Sequence, residues 1–246
     1  MVVVFDVGNT NIHIGLYRGR DLEQKWHFPV KKKMPITKMR GILNDKRLQG
    51  VAIASVVPSL TKQIVRLCRQ HELPVVVVSS KIDCGITYAY DNPATLGADR
   101  IAAVVGALTR YKCNVVVVDA GTAITIDLAM RDGRHLGGLI VPGMQMLSEI
   151  MHNKTAKLPE VSVRKPKNLV GRSTEECIQS GIFNGTMVMV TGLIKELQRQ
   201  FGNDFFCVST GGSGALVAKY VKDVRKYDGD LCLYGALAIY KRNVTD

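Results

Sequence analysis

The chain has 246 residues, and 33 Lys and Arg against 21 Asp and Glu give it a net charge of +12. With 46% hydrophobic and 22% charged residues it can bury a core, which excludes disorder as a description of the whole chain. The positive charge suits nucleic acid, anionic lipid and phosphorylated small molecules equally well, so it does not by itself identify a partner.

The first half of the chain begins with strands. A β-branched run at 2–7 ends beside Asp6, and a tight turn at Gly8 leads into an alternating strand. The pattern then predicts a strand at Leu22–Phe28, a helix at Pro35–Leu43, a strand at Val51–Ser55, a helix at Ser59–His71, a strand at Pro74–Ser79 and a helix at Asp99–Tyr111.

An internal repeat follows. Residues 115–134, VVVVDAGTAITIDLAMRDGR, align without a gap with residues 2–21, VVVFDVGNTNIHIGLYRGRD. Asp119 and Gly121 match Asp6 and Gly8, and Thr122 takes the place of Asn9. The repeat predicts two related halves, 1–113 and 114–246, in an α/β arrangement with a cleft between them.

The second half repeats the change from strands to helices. A strand is predicted at Leu136–Val141 and another at Phe205–Ser209. Helices are predicted at Gly143–His152, Thr174–Phe201, Gly212–Val221 and Leu231–Arg242. The long stretch from Cys177 to Ile194 has no charge but carries several polar residues, which favours a buried helix over a membrane span.

Several functional classes lack their motifs. The chain has no G-x-x-x-x-G-K-[ST] loop and no H-E-x-x-H pair, so neither a P-loop nor a zinc protease site is expected. The six cysteines form no C-x-x-C pair, which is typical of a reducing compartment and predicts a cytoplasmic protein. The start of the chain, Met1–Asp6, has no basic segment, so neither a signal peptide nor a membrane anchor is expected there. Basic clusters without interleaved aromatics do not favour nucleic acid as a partner.

The two Asp-Gly turns offer a physical route to phosphate binding. A strand that ends in Asp before a glycine turn places a carboxylate beside backbone N–H groups, which can bind phosphate oxygens while the carboxylate holds a cation. One such turn is ordinary structural punctuation. Two copies at matched positions favour a nucleotide site.

Eight short segments, in order along almost the whole chain, resemble type III pantothenate kinase, a family of the acetate and sugar kinase, heat-shock protein and actin superfamily. They are Asp6-Val-Gly-Asn-Thr-Asn11, Ala54-Ser-Val-Val-Pro58, Tyr90-Asp-Asn-Pro93, Gly97-Ala-Asp-Arg100, Asp119-Ala-Gly-Thr-Ala123, Gly137-Gly-Leu-Ile-Val-Pro-Gly143, Thr155-Ala-Lys-Leu-Pro159 and Thr210-Gly-Gly212. The resemblance implies two duplicated ribonuclease H-like, actin-like ATPase domains. The implied reaction is ATP-dependent phosphorylation of pantothenate to 4′-phosphopantothenate, the first step of coenzyme A biosynthesis.

The resemblance also implies roles for individual residues. Asp99 would be the general base on the acceptor hydroxyl, Asp6 would lie close to Mg²⁺, and Asp119 would be associated with K⁺ or ammonium. The Thr210-Gly-Gly212 turn would approach the adenosine. The ATP-binding residues would be Asp6, Val7, Gly8, Asn9, Thr10, Asn11, Ile12, His13 and Thr122, and the pantothenate-binding residues Tyr90, Gly97, Ala98, Asp99, Arg100 and Thr174.

Ordinary structural readings of three of these residues stay open. Asp99 could be a capping residue in the first turn of its helix, and Tyr90 could be core packing. Ser173 or Thr174 could open the long helix with the acids that follow, which is a capping signature compatible with substrate contact.

The resemblance implies a homodimer with the acceptor site near the subunit interface. The leading hypothesis is therefore a pantothenate kinase that uses ATP, Mg²⁺ and a monovalent cation. A kinase of another small hydroxy acid or sugar is one alternative. A regulatory or DNA-associated protein of the same fold without catalysis is another, and an actin-like assembly protein is disfavoured by the short chain.

Overall fold

The structure is a computed structural model that describes residues 1–30, 36–202 and 204–244. Within these residues the helices are α1 (Ile36–Leu43), α2 (Pro58–Gln70), α3 (Ala98–Tyr111), α4 (Met144–Lys154), α5 (Thr174–Phe201), α6 (Gly214–Tyr220) and α7 (Leu231–Asn243). The strands are β1 (Val2–Val7), β2 (Asn11–Arg18), β3 (Asp21–Pro29), β4 (Gly50–Ser55), β5 (Val75–Val77), β6 (Thr87–Tyr88), β7 (Val115–Ala120), β8 (Ala123–Ala129), β9 (Arg134–Pro142), β10 (Phe206–Thr210) and β11 (Lys226–Tyr227).

The elements predicted from the sequence are present, with ends within two residues of those expected. The predicted start of the first helix at Pro35 lies outside the described residues. The sequence did not predict β6, β11 or the 3₁₀ turn at Pro93–Thr95. These are two- and three-residue elements, which are too short to show a periodic pattern.

Contacts divide the chain into two compact units. Unit 1 consists of Met1–Cys113, Leu128–Gly137 and Asp230–Asp246, and unit 2 consists of Asn114–Asp127 and Gly138–Gly229. The boundary after Cys113 is also the boundary between the two halves predicted from the repeat. The end of the chain, however, belongs to unit 1 and not to the second unit. The reason is that α7 packs on α3, β1 and β4.

Unit 1 contains a five-stranded sheet of order β3-β2-β1-β4-β5. The central strand β1 pairs antiparallel with β2 and parallel with β4, so the first hairpin and the first crossover meet at it. Its side chains alternate between two cores. Val3, Phe5 and Val7 pack in a cluster with residues of α1 and α2. Val2 and Val4 pack in a cluster with residues of α3 and α7.

This alternation determines where Asp6 points. Asp6 is in register with Val2 and Val4, so its carboxylate faces α3 and α7. The two helices cross with their backbones in close contact: a Cβ added to Gly235 would overlap the carbonyl oxygen of Ala102, and one added to Gly106 would overlap that of Leu231. Glycine at both positions therefore lets the start of α7 lie beside the first turns of α3.

The second sheet has six strands in the order β11-β10-β7-β8-β9-β6. In unit 2, β10 runs parallel to β7 on one side and to β11 on the other. The helix α5 contributes a buried face that includes Phe183, Met187 and Val190. This helix is long and apolar enough to cross a membrane by length and composition alone, but 44% of its most apolar segment is buried, and core helices of soluble proteins have the same length and composition.

Candidate active site

The first predicted phosphate loop is a tight hairpin turn at the end of β1. Gly8 N donates to Asn11 O over 2.9 Å, which closes the turn. Asn9 and Thr10 are exposed at its tip. Val7 and Ile12, which were predicted to contact ATP, point their side chains into the core on the α1 and α2 side. From these two positions only backbone groups are available to a nucleotide.

Asp6 is a carboxylate with little hydration. It keeps part of its surface exposed, but its pKa is raised from 3.8 to about 7, mainly by burial, and the nearby charge of Asp99 acts in the same direction. A hydrogen bond from the thiol of Cys232 and the charge of Lys25 act in the opposite direction and do not cancel the effect of burial. An oxygen ligand whose negative charge is poorly compensated fits a hard cation such as Mg²⁺.

Asp99 is the second residue of α3 and lies on the same face of the sheet as Asp6. Its Oδ1 accepts from the backbone N–H of Arg100 over 2.8 Å. Gly97 is the N-cap residue of the helix and offers no side-chain cap, so Asp99 is a first-turn acid rather than the N-cap residue. A Cβ on Gly97 would overlap Asp99 Oδ1, so glycine at this position leaves room for the carboxylate.

Cys232 was not predicted from the sequence as part of the site. Its Sγ lies 3.9 Å from the backbone oxygen of Asp99, and its thiol also bonds to Asp6. A lone cysteine in an apolar helix gives no sequence signal for this placement, because the contact depends on the crossing of α3 and α7.

Arg100 and Tyr90 form the other part of the predicted acceptor site in unit 1. Arg100 is 7% exposed, and its Nη1 donates to the Tyr90 hydroxyl over 2.8 Å. Tyr90 stacks on His135, with ring centroids 6.0 Å apart and planes 14° apart. Tyr90 is thus both a packing residue and a partner of the guanidinium. His135 supports that arrangement and was not among the site residues predicted from the sequence.

His13 lies within β2 rather than in the turn. It is opposite Asp6 in the β1–β2 register and opposite His27 in the β2–β3 register. The two imidazoles stack with centroids 4.7 Å apart. Burial, followed by the charges of His27 and Lys25, lowers the pKa of His13 to about 4. His13 is therefore neutral near pH 7 and supplies no positive charge to a phosphate.

The second predicted loop lies in unit 2 and is tighter than the first. Gly121 N donates to Ala123 O over 3.0 Å, so this turn is one residue shorter than its counterpart at Gly8. Gly143 N donates to Thr122 O over 3.0 Å, and a Cβ on Gly143 would overlap the carbonyl oxygens of Gly121 and Thr122. A Cβ on Gly211 would overlap Asp119 Oδ1. Glycines at 143 and 211 therefore let the neighbouring chain segments pack closely against this turn and Asp119.

Thr174 is the first residue of α5 and is exposed. The capping role belongs to Ser173, whose Oγ accepts from the backbone N–H of Glu176 over 3.2 Å. Glu176 Oε2 in turn accepts from the N–H of Arg172 over 2.7 Å. Because Ser173 is the cap, the Thr174 hydroxyl is available to a ligand.

No group of three or more His, Cys, Asp and Glu side chains suited to a metal occurs among the residues that the structure describes. The single carboxylates Asp6 and Asp119 fit cations that are also held by phosphate oxygens and water, as in nucleotide sites. The negative charge of Asp6 is poorly hydrated, which favours a cation beside it. Asp119 is the carboxylate beside the second loop.

The duplicated Asp-Gly hairpins and the two mixed sheets define an α/β protein with the actin-like ATPase fold. Solved structures show the same fold: a glucokinase of the ROK family from Streptomyces griseus matches with a TM-score of 0.56 at 12% identity over 97% of this chain and 98% of its own. A Campylobacter jejuni protein assigned to the Baf family of transcriptional activators matches with a TM-score of 0.63 at 25% identity over 98% of both chains. The predicted fold class is confirmed.

The family model of type III pantothenate kinase matches residues 2–196. Curated type III pantothenate kinases are similar over the full length: that of Paramagnetospirillum magneticum is 36% identical over 100% of this chain and 98% of its own. That of Syntrophotalea carbinolica is 34% identical over 99% of both chains. The chain belongs to the type III pantothenate kinase family.

Family membership confirms the reaction predicted in the sequence analysis. The chain is a kinase that phosphorylates pantothenate with ATP in coenzyme A biosynthesis, with the Mg²⁺ that such kinases use. The comparisons give no support to a non-catalytic regulatory role or to another acceptor.

Proposed function

We propose that Asp99 is the general base of this pantothenate kinase and that Arg100 and Tyr90 hold the acceptor. The observation that best supports this is the start of α3, where Asp99 and Arg100 are consecutive residues. Asp99 also lies close enough to Asp6 for its charge to raise the Asp6 pKa. A proton acceptor, a carboxylate binder and a cation ligand are therefore together in unit 1.

Each residue has a defined task in this proposal. Arg100 binds the pantothenate carboxylate with its guanidinium, which can make two parallel hydrogen bonds to a carboxylate. The Tyr90 hydroxyl fixes the guanidinium, and Gly97 and Ala98 leave room for the acceptor. Asp99 accepts the proton of the 4′-hydroxyl as that oxygen forms its bond to the γ-phosphorus and ADP departs.

The phosphate side uses the two hairpin turns. The turn at Gly8–Thr10 and the one at Gly121–Thr122 present backbone and hydroxyl donors to ATP, and Asp6 holds Mg²⁺. Bound Mg²⁺ neutralises charge on the phosphates. Asp119 holds a monovalent cation, K⁺ or ammonium, beside the second turn. Thr174 contacts pantothenate from the start of α5, and the glycines at 211 and 212 admit the adenosine.

We also propose that the enzyme is a cytoplasmic homodimer. Unit 2 exposes large apolar side chains at Leu169, Val170 and Val188, with 74%, 77% and 71% of their surface accessible. Apolar side chains exposed to this extent are common at protein interfaces when they form a patch. Sedimentation equilibrium tests this, since a mass of one chain at micromolar concentration would contradict it.

The central test is pantothenate-dependent release of ADP. We expect Asp99→Asn to lower kcat by about 10²–10⁴-fold because the base is lost, with an unchanged circular dichroism spectrum. Asp91→Asn, an exposed carboxylate in the neighbouring segment, is the matched control and should retain activity. Near-normal turnover in Asp99→Asn would remove Asp99 from the base role. Activity on sugars without activity on pantothenate would overturn the acceptor.

The cation proposal has its own test. Replacing K⁺ by tetramethylammonium should raise the KM for ATP in the wild type, whereas Asp119→Asn should make activity insensitive to K⁺. An Asp119→Asn variant that responds to K⁺ as the wild type does would contradict a cation at Asp119.

A further inference from the structure

A second cleft lies in unit 1 between the later turns of α3 and α7. The helices touch at Ala102–Gly106 and Leu231–Gly235, where glycines bring their backbones together. Beyond this crossing a cleft of about 400 Å³ opens between them. Its volume is within the range of small-molecule sites. Its lining includes neither Asp6, Asp99, Arg100 nor Tyr90.

The floor of this cleft is apolar. Val105 and Leu108 of α3 face Leu237 and Ala238 of α7, and Ile86 closes one side. The turn at Gly133 closes another side, and it is attached to the same wall because Thr87 N donates to Gly133 O over 2.9 Å. A ligand with an apolar part would remove this floor from water.

The rim of the cleft is positively charged. It is lined by four basic side chains, those of Arg20, Arg131, Lys241 and Arg242. The only carboxylate among the lining residues is that of Asp132. Asp132 is paired with Arg134 at 2.9 Å, and Arg242 is paired with Asp83 at 3.0 Å. The positive charge that the rim offers to a ligand is therefore considered at Arg20 and Lys241.

Two of these rim cations are placed for a ligand. Lys241 Nζ donates to the backbone oxygen of Gly19 over 2.6 Å, which holds it beside Arg20. Neither Arg20 nor Lys241 forms an ion pair with a carboxylate among the residues that the structure describes. Two neighbouring cations without a counter-ion at the mouth of an apolar cleft select a ligand with a negative head and an apolar body.

We infer that this cleft is a binding site, separate from the catalytic site, for an amphipathic anion that carries a phosphate or carboxylate. The head contacts Arg20 and Lys241, and the apolar part lies between α3 and α7. The ligand would touch the same two helices whose first turns carry Asp99 and Cys232, which gives the site a physical connection to the proposed catalytic residues. The inference itself concerns binding and does not depend on the proposed function.

Isothermal titration calorimetry of the full chain with octyl phosphate tests the inference, with octanol and inorganic phosphate as the two halves of the probe. We expect octyl phosphate to bind at least about tenfold more tightly than either half, because the cleft recognises both parts. Arg20→Glu/Lys241→Glu should weaken octyl phosphate binding by at least about tenfold, and Arg20→Ala alone should weaken it measurably. The control Lys195→Glu/Lys222→Glu makes the same charge change at exposed positions of unit 2 and should bind as the wild type does.

Three results would overturn the inference. One is the absence of octyl phosphate binding to the wild type. Another is equal binding by the wild type and the Arg20→Glu/Lys241→Glu variant, which would place the probe elsewhere. The third is binding of inorganic phosphate as tight as that of octyl phosphate, which would leave the apolar floor without a role.

Discussion

Arg100 Nη1 donates a hydrogen bond of 2.8 Å to the hydroxyl of Tyr90, so this uncharged hydroxyl helps to hold the buried guanidinium in place. This hydrogen bond fixes the direction of one side of the guanidinium. A guanidinium held in a defined direction suits the binding of a carboxylate.

Tyr90→Phe should therefore affect the acceptor selectively. The variant removes one partner of a charged donor, a loss of about 1.5–3 kcal/mol, which corresponds to roughly a 10- to 100-fold rise in the KM for pantothenate. Steady-state kinetics should show little change in the KM for ATP. Tyr88→Phe, in which the hydroxyl removed does not bond to Arg100, is the control. Equal effects on both KM values would indicate a general structural defect instead.

The raised pKa of Asp6 makes the Mg²⁺-free protein sensitive to pH. The native carboxyl, with a pKa of about 7 against 3.8, binds a proton more tightly than the unfolded chain does. Its contribution to stability is fully present below pH 3.8 and is lost as pH rises through 7. Between pH 4 and pH 8 we expect the unfolding free energy of the wild type to fall by about 2–4 kcal/mol relative to that of Asp6→Asn.

Urea unfolding without Mg²⁺ at a series of pH values measures this difference. Asp21→Asn, which changes an exposed carboxylate at the start of β3, should follow the wild type. The prediction is contradicted if the difference in unfolding free energy between the wild type and Asp6→Asn stays constant with pH. In that case the pKa of Asp6 would be the same in the native and unfolded states.

Variants at Ser173 and Thr174 should distinguish helix capping from contact with the substrate. Ser173→Ala removes the N-cap of α5 and should cost about 1 kcal/mol of unfolding free energy with an unchanged KM for pantothenate. Thr174→Ala should do the reverse, with a raised KM and unchanged stability. Thermal unfolding and kinetics on the two variants form a reciprocal comparison. The assignment is wrong if Thr174→Ala changes only the stability.

Gly143 holds the turn at Gly121 and Thr122, the proposed second phosphate loop, in place. A methyl group at this position would overlap the carbonyl oxygens of Gly121 and Thr122 and displace the turn. We expect Gly143→Ala to raise the KM for ATP and to cost about 1–3 kcal/mol of stability. Gly192→Ala is the control because α5 has open space at that position, and there alanine should stabilise by about 0.5–1 kcal/mol. Similar ATP kinetics in the two variants would exclude the loop from the nucleotide site.

Local patterns predicted most of the elements, because strands and helices of ordinary length carry a periodic signal. The alternation in β1 also places Asp6 on one face of its sheet. What this face meets could not be read from the sequence, since Cys232 reaches Asp99 only through a helix crossing between distant segments. The repeat predicted matching turns, yet the second is a residue shorter, because hydrogen-bond register in a turn depends on more than matched residue types.

The last helix, α7, packs in unit 1, so the core around the first strand is completed late in synthesis. Val2 and Val4 belong to the first strand to leave the ribosome, but their cluster includes Leu233, Ala236 and Leu237, which are synthesised last. The part of this cluster that α7 covers therefore stays exposed until nearly the whole chain has been synthesised. Cys232 also belongs to this last helix, so its contacts with Asp6 and Asp99 form only when synthesis is almost complete.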